Sequence, residues 1–402
     1  MQLRTGSPFW LAQAGERADW PDLEGDARAD VLVVGAGITG ALAAWRLAES
    51  GFDTLLLDRR EAGEGSTAAS TALLQYELDT PLRQLRSLVG TDGANRAYRR
   101  CAAAFAELEV MLDRLGHRAG YARRESLYLA RDRAELPELR RECAERAGLG
   151  IAIEFLDGRA LDRRFGIGRP GALLSALGAE LDAYTLTLRL LEAAAALGTR
   201  VRTGPAAEVV SVEPGTTVGV RTSGGHLVRA DRVIFATGYE FAPCLPPRDV
   251  TLRTTYAVAT APTTRHEPWP GQAIIWETAR PYLYVRTTAD GRLLVGGADD
   301  SFDGTMPPET VIERKVRHLM GAARDLFPHL ELTADCAWAG VFAETPDGLP
   351  YIGEVPGMPH VLGSLAYGGN GITFGIIAAE ILLALCRGDP HPDEALFGFD
   401  RG

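Results

Sequence analysis

The aliphatic run Val31-Leu-Val-Val34 leads straight into Gly35-Ala-Gly-Ile-Thr-Gly40, and helical spacing follows from Ala41 to Ser50. A buried strand, a GxGxxG turn and a helix in immediate succession leave few folds open. Gly35 allows the tight turn, Gly37 lets the backbone approach a pyrophosphate, and Gly40 lets the helix lie close on the strand. Phosphates would then meet the helix's free N–H groups and positive end around Ala36, Ile38 and Thr39. A second strand, Phe52 to Asp58, ends in a carboxylate roughly 20 residues further on, where a ribose 2′-OH would be held. Arg59 and Arg60 follow it, able to reach a 2′-phosphate or simply to stand solvated at a strand end. An adenine dinucleotide is the expected ligand.

At 402 residues and 46% hydrophobic composition, the chain exceeds one ordinary core, so two domains are expected. A net charge of −11 argues against a general nucleic-acid or anionic-membrane surface and for a small-molecule partner. Cys101, Cys143, Cys244, Cys336 and Cys386 are odd in number and widely spaced. They suggest reduced thiols, with neither a disulfide framework nor a metal site. The first 30 residues lack the long apolar region of a secretory signal, and no run reaches membrane-spanning length, so a cytoplasmic location is expected. Lys315 is the only lysine.

Beyond Asp58, the hydroxyl-rich stretch Gly63 to Glu77 suggests close approach to a ligand. Leu82–Leu115 is expected to be helical, as are 134–148, 184–197 and 307–326. Strands are expected at 127–130, 151–155, 208–212, 217–222, 227–229 and 231–238. From Thr251 to Asp299, four apolar runs separated by turns predict a mostly antiparallel platform. Near the end, Val361 to Gly371 and the apolar helix from Ile372 repeat the strand, glycine turn and helix arrangement.

In this order and spacing the pieces resemble the FAD-dependent amine and amino-acid oxidoreductases of the D-amino-acid oxidase, glycine oxidase and monomeric sarcosine oxidase family. The resemblance is carried by Gly35 to Gly40 with Asp58, Gly65 to Thr71, Ala236-Thr-Gly238, Trp338-Ala-Gly340, Thr345 to Gly353 and Gly368 to Thr373. It implies an α/β fold with a discontinuous Rossmann-like FAD-binding domain from residues 27–84, 171–240 and 334–402. A second, α+β substrate domain from 85–170 and 241–333 would cover the flavin with its mostly antiparallel sheet, leaving 1–26 as an N-terminal extension. By the same resemblance, Ser66, Thr67, Ser70, Thr71, Ala72, Leu73 and Leu74 pass beside the pyrophosphate and flavin ring, and Val209 meets the adenine. Thr71 stands where relatives often have Gly. The helix opened by Gly368, Gly369, Asn370 and Gly371, with Ile372 and Thr373 in its first turn, would direct its N-terminus at the flavin's N1 and C2=O. Relatives with covalent flavin carry His where Ala69 stands or Cys near Gly340. Non-covalent FAD is therefore expected.

Amino-acid-oxidising relatives place a carboxylate-gripping Arg where this chain has Phe342. An amine, or an amino-acid-like substrate with a masked carboxylate, is the expected substrate, oxidised at its C–N bond by hydride transfer to flavin N5 to give an imine. Oxygen or another acceptor would take the electrons. Glu344, two residues on, is a candidate partner for a substrate ammonium. Tyr256, Tyr282, Tyr284 and Arg286 of the platform, and Tyr76 and Glu77 of the flavin loop, are the other catalytic candidates, Arg286 as a relocated carboxylate site. His226 and His266 fall in turn-like segments. A non-catalytic FAD-binding module is the alternative from another class, because Phe342 departs from the catalytic pattern.

Overall fold

The computed structural model describes residues 1–15, 18–240, 242, 244–246, 249–263 and 267–401; His266 lies outside them. Two sheets organise the chain. In the first, Val361–Leu365, Leu227–Gly238, Ala27–Val34, Thr54–Asp58 and Arg200–Thr203 run parallel in that order, with Tyr351–Glu354 antiparallel at one edge. Val31, Leu32 and Val33 are fully buried because helices cover one face and an apolar layer the other. The helix Ile38–Glu49 packs on this sheet between the helices Ala183–Ala196 and Gly371–Arg387. The hairpin Val209–Glu213 and Val218–Thr222 extends the strand Leu227–Gly238.

The second sheet has ten strands. Its path runs from Arg4–Gly6 through Ala334–Glu344, Thr251–Thr260, Leu293–Ser301, Leu283–Thr287, Ile274–Glu277, Ala122–Leu129 and Gly171–Glu180 to Leu73–Gln75, and Ile153–Asp157 pairs with Gly171–Glu180. Only the junction of Ile274–Glu277 with Ala122–Leu129 is parallel. Strand alternation divides its residues. Tyr256, Val258, Val285 and Val295 pack beneath the amphipathic helix Glu309–Leu326, whereas Ala257, Leu294 and Trp338 face the first sheet.

Several boundaries differ from the sequence reading. The runs 227–229 and 231–238 form one twelve-residue strand, because Ala230 pairs in register with Ala29 and carries the ladder through. Gly171–Glu180 is an interior strand near one end of the ten-stranded sheet; its near-continuous burial hides the alternation that marks a strand. That segment, Leu73–Gln75 and Ala334–Glu344 all fall within the stretches expected to build the flavin domain, yet they belong to the cover sheet. The first residues are no loose extension either: Arg4–Gly6 pairs with Trp338 to Gly340, and Leu3, Phe9 and Trp10 are buried.

Helix and strand meet most tightly at Gly40, where an added Cβ would lie 1.8 Å from the Gly35 carbonyl oxygen. Gly40→Ala is therefore expected to cost about 3 kcal/mol or more, since neither backbone can yield without moving its element. Urea unfolding of the FAD-free variant measures this. An unchanged midpoint would show that the close packing tolerates a side chain here.

Candidate active site

A cavity of about 800 Å³ opens at the carboxyl ends of the parallel strands, where the chain leaves Val34, Asp58 and Ala236. That volume suits a large organic cofactor. Gly35, Gly37, Ile38 and Thr39 form one part of its wall, Asp58, Arg59 and Val209 another, and Ser66, Thr67, Ser70, Leu73 and Leu74 a third. Thr237 and Gly238 lie beside Ala236, and Gly369, Asn370, Gly371, Ile372 and Thr373 complete the wall from the last long helix. Ala36, Gly40, Thr71, Ala72, Gly340 and Gly368 adjoin this lining without belonging to it.

The backbone requires glycine at Gly35, whose φ of +115° is closed to L side chains and whose Cβ would meet the Ala236 carbonyl oxygen at 2.5 Å. Asp58 accepts hydrogen bonds from the Ala36 N–H at 2.7 Å and the Arg60 N–H at 2.9 Å, while burial raises its carboxyl above the usual range. The Thr67 hydroxyl accepts from the Ile38 N–H at 3.0 Å, joining the flavin loop to the glycine turn. Arg59 is held by Glu208 and Glu240, and Arg60 reaches Glu240 at 3.0 Å. This rim is balanced in charge, and a 2′-phosphate there would meet carboxylates. Neither Ile38–Glu49 nor Gly371–Arg387 has a side-chain cap at its N-terminus. The Ile38 N–H is taken by Thr67, and the other first-turn N–H groups of both positive helix ends lie along the cavity wall, as a pyrophosphate and an electron-rich ring require.

Three consecutive carbonyls of the flavin loop are tied by donors from distant parts of the chain. Trp338 Nε1 donates to the Ala69 oxygen at 2.7 Å, Trp10 Nε1 to that of Ser70 at 2.6 Å, and Arg286 Nε to that of Thr71 at 2.6 Å. Gly340 faces the same loop, 3.0 Å from Ala69 once a Cβ is added. Ala72 follows with φ +51°, its N–H donating to the Ser70 hydroxyl. Asn370 Nδ2 donates to the Glu77 carbonyl at 2.7 Å and Thr373 to that of Gln75 at 3.0 Å, so the last helix holds the other end of the loop.

These contacts correct the reading of Arg286. Its guanidinium is buried, donates also to Leu181 and Thr287 carbonyls, lies 3.6 Å from Glu180 and stacks near Trp10. Burial lowers its pKa to about 10. It braces the loop and has no face left for a substrate acid. Tyr256 points the other way, its hydroxyl on Asp300 at 3.0 Å beneath the helix Glu309–Leu326, because its neighbour Thr255 takes the flavin-side position. Tyr76 and Glu77 are buried behind the loop. Tyr76 shares a hydrogen bond with Ser175 at 2.9 Å, and Glu77 lies near Ser126, Ser175 and Arg146, its carboxyl raised by burial.

Tyr282, Tyr284, Phe342 and Glu344 do share the cover sheet's flavin-side face. The Tyr284 ring lies on Gly296, where an added Cβ would come within 2.3 Å, and its hydroxyl is 3.4 Å from that of Thr255. Burial pushes its phenol up to about 12. Tyr282 donates to Asp79 at 2.7 Å under the Arg280 guanidinium. Phe342 pairs in register with Arg253, whose Nε bonds Glu344 at 3.0 Å. Glu344 thus already has a cationic partner. Sequence reasoning missed Asp79, Thr255 and Asp299 on this face; the glycine pair Gly296-Gly297 before Asp299 was the available signal of an irregular strand.

The FAD dependent oxidoreductase family, DAO, matches residues 30–385. The chain belongs to it. Over 405 aligned residues it is 26% identical to gamma-glutamylputrescine oxidoreductase of Escherichia coli (strain K12), covering 97% of this chain and 91% of that one. Glycine oxidase of Geobacillus kaustophilus (strain HTA426) is also 26% identical, over 88% of this chain and 93% of its own. Among solved structures, glycine oxidase from Geobacillus kaustophilus superposes with a TM-score of 0.78 at 22% identity, covering 94% of this chain and 99% of that one. L-proline dehydrogenase from P. horikoshii gives 0.76 at 18%, covering 92% and 97%.

The enzyme is an FAD-dependent oxidoreductase of the amine and amino-acid type, and the mostly antiparallel cover sheet expected for this fold is present. No helix of the described residues is long and apolar enough to cross a membrane, and no metal-binding cluster occurs among them.

Arg286→Met would strand the Thr71 and Leu181 carbonyls without donors, at a cost of about 3 kcal/mol. The expected outcome is a lower melting temperature and faster FAD loss, with the preference between substrates unchanged in molecules that retain flavin. Selective loss of amino-acid turnover at normal stability would restore Arg286 to substrate binding.

Proposed function

We propose that the enzyme oxidises the C–N bond of an amine, or of an amino-acid-like substrate with a masked carboxylate, rather than a simple free α-amino acid. The observation that carries this reading is the absence of a free arginine at the reacting face among the described residues. Phe342 occupies the expected position, Arg286 is spent on backbone carbonyls, and Arg253 is paired with Glu344. Arg280 packs on Tyr282 and donates to the Asp79 carbonyl. The relative named gamma-glutamylputrescine oxidoreductase supports the same direction.

FAD, when bound, accepts a hydride from the substrate carbon. The protein's part is placement. Asp58 would hold the ribose, the N-terminus of Ile38–Glu49 the pyrophosphate, and the N-terminus of Gly371–Arg387 the electron-rich edge of the ring. Tyr284 and Phe342 present apolar surface from the cover sheet, which excludes water and orients the carbon that loses hydride. Water then hydrolyses the imine product.

The cofactor is proposed to be held without a covalent bond. Ala69 offers no nucleophile, and Cys336 lies four strand positions, about 13 Å, from Gly340 and outside the cavity wall. Acid precipitation should therefore leave a yellow supernatant containing FAD and a colourless pellet. A pellet that keeps its flavin colour would show a covalent link.

Anaerobic flavin reduction by matched pairs, an amine and its α-carboxylated analogue, tests the substrate class. The amine is expected to reduce the enzyme faster. Phe342→Arg should improve capture of the amino acid by about 30-fold or more, the scale of one charged bidentate contact. Faster wild-type reduction by free amino acids, abolished in Arg253→Met, would show that Arg253 holds a substrate carboxylate and would overturn the amine reading.

A further inference from the structure

Asp299 stands out among the acids of the flavin-side face because, although Thr255 bonds its carboxylate, one oxygen is left without a hydrogen bond. Asp79 accepts from Tyr282 at 2.7 Å and from the Gly369 N–H at 3.1 Å, and Glu344 is bonded by Arg253. Asp299 Oδ1, by contrast, is buried without a hydrogen bond. A buried carboxylate oxygen left unpaired is costly unless a donor or cation arrives.

Its position results from a built irregularity in the strand Leu293–Ser301. Pairing with Thr251–Thr260 shifts between Thr254 and Tyr256, so that Asp300 faces Thr254 and Gly297 faces Tyr256, with Ala298 and Asp299 bulging between. Gly297 has φ +125° and Ala298 φ +55°. A Cβ on Gly297 would lie 1.9 Å from the Tyr282 carbonyl oxygen, so only glycine fits there. The bulge is bolted from behind. Lys315 Nζ donates to the Ala298 carbonyl at 2.6 Å and to Asp300 at 2.7 Å, Tyr256 donates to Asp300, and the Ala298 N–H bonds Tyr282 at 3.0 Å. With residues 298 and 300 fixed on the rear, Asp299 turns to the flavin side beside Thr255. Bulges that re-aim one side chain are a recurrent device next to reacting centres.

We propose that Asp299 is the group that binds the substrate's ammonium and takes one of its protons, delivering the neutral amine for oxidation. This rests on the amine reading above. The N–H bond breaks, its electron pair stays on nitrogen, and the proton passes to Oδ1, giving a neutral amine and a neutral carboxylic acid with no change in oxidation state. The charged and titratable groups around it are Asp79 from the flavin loop, Glu344 and Arg253 from the neighbouring strands, Arg280 before the strand Leu283–Thr287, and Tyr282 and Tyr284. Burial holds the Asp299 carboxyl up at about 6, with Asp79 and Glu344 adding to this and Thr255 and Arg280 opposing it. The group is therefore mostly ionised at neutral pH and is a stronger base than an ordinary carboxylate.

The test uses tert-butylamine, which has no hydrogen on its amine-bearing carbon and cannot be oxidised, titrated into the FAD-loaded enzyme and followed by the flavin difference spectrum. Wild type is expected to bind the cation about tenfold more weakly at pH 5 than at pH 7.5, as the carboxylate is lost, and to ignore the neutral isostere tert-butanol. Asp299→Asn, of the same shape, should lose at least about tenfold in affinity at pH 7.5 and show little pH dependence, with flavin content and melting temperature confirming its fold. Equal binding by Asp299→Asn, transfer of the effect to Asp79→Asn or Glu344→Gln, or no binding by wild type would each overturn the proposal. An amine that reduces wild type and Asp299→Asn equally fast would remove Asp299 and leave the amine reading standing. Reduction by free amino acids alone would remove the amine reading itself.

Discussion

The arrangement depends on three hydrogen bonds to three adjacent carbonyls. Between Ala69 and Thr71 the flavin loop leaves regular structure and enters a buried space where its backbone oxygens must find donors. Trp338, Trp10 and Arg286 supply them from three separate parts of the chain. Each donor is large and itself buried, so the bonds also set the spacing between the two sheets. The left-handed conformation of Ala72, a cost of roughly 1–2 kcal/mol, is sustained by this clamp and by the Ser70 hydroxyl.

The cover sheet separates support from chemistry by its two faces. Its rear carries Tyr256, Asp300 and the apolar layer under Glu309–Leu326. The other face carries Thr255, Tyr284, Gly296 and Phe342, among which only small residues and flat rings leave room for a ligand. The chain's single lysine belongs to the rear, where it fixes backbone geometry. In this family member the reacting face is shaped by what the rear holds still.

The dinucleotide turn was legible because its signals are local: an aliphatic run, three glycines at fixed spacing and an acid at the next strand's end. The paired helix N-termini and the antiparallel platform were legible for the same reason. Face assignment was not. Alternation groups Tyr282, Tyr284 and Arg286 correctly, but which of them meets a ligand and which is buried under Trp10 depends on elements nearly 300 residues apart in the chain. Tyr256 alternates regularly with Ala257, but which face is the rear is set by the distant helix Glu309–Leu326 that packs there. The bulge in Leu293–Ser301 hid Asp299, and continuous burial hid Gly171–Glu180.

The order of the elements along the chain bears on how the enzyme is made. The wall of the FAD cavity begins at the N-terminal strap and glycine turn but closes only with the helix Gly371–Arg387, whose first turn and preceding Asn370 secure the loop at Gln75 and Glu77. Such contacts span about 295 positions, so their closure entropy falls due only after the intervening residues have been made. A growing polypeptide on the ribosome would hold an unfinished nucleotide cradle until that helix emerges. Cofactor capture is thereby deferred until that helix has been made, leaving the nascent chain dependent on protection from self-association in the meantime.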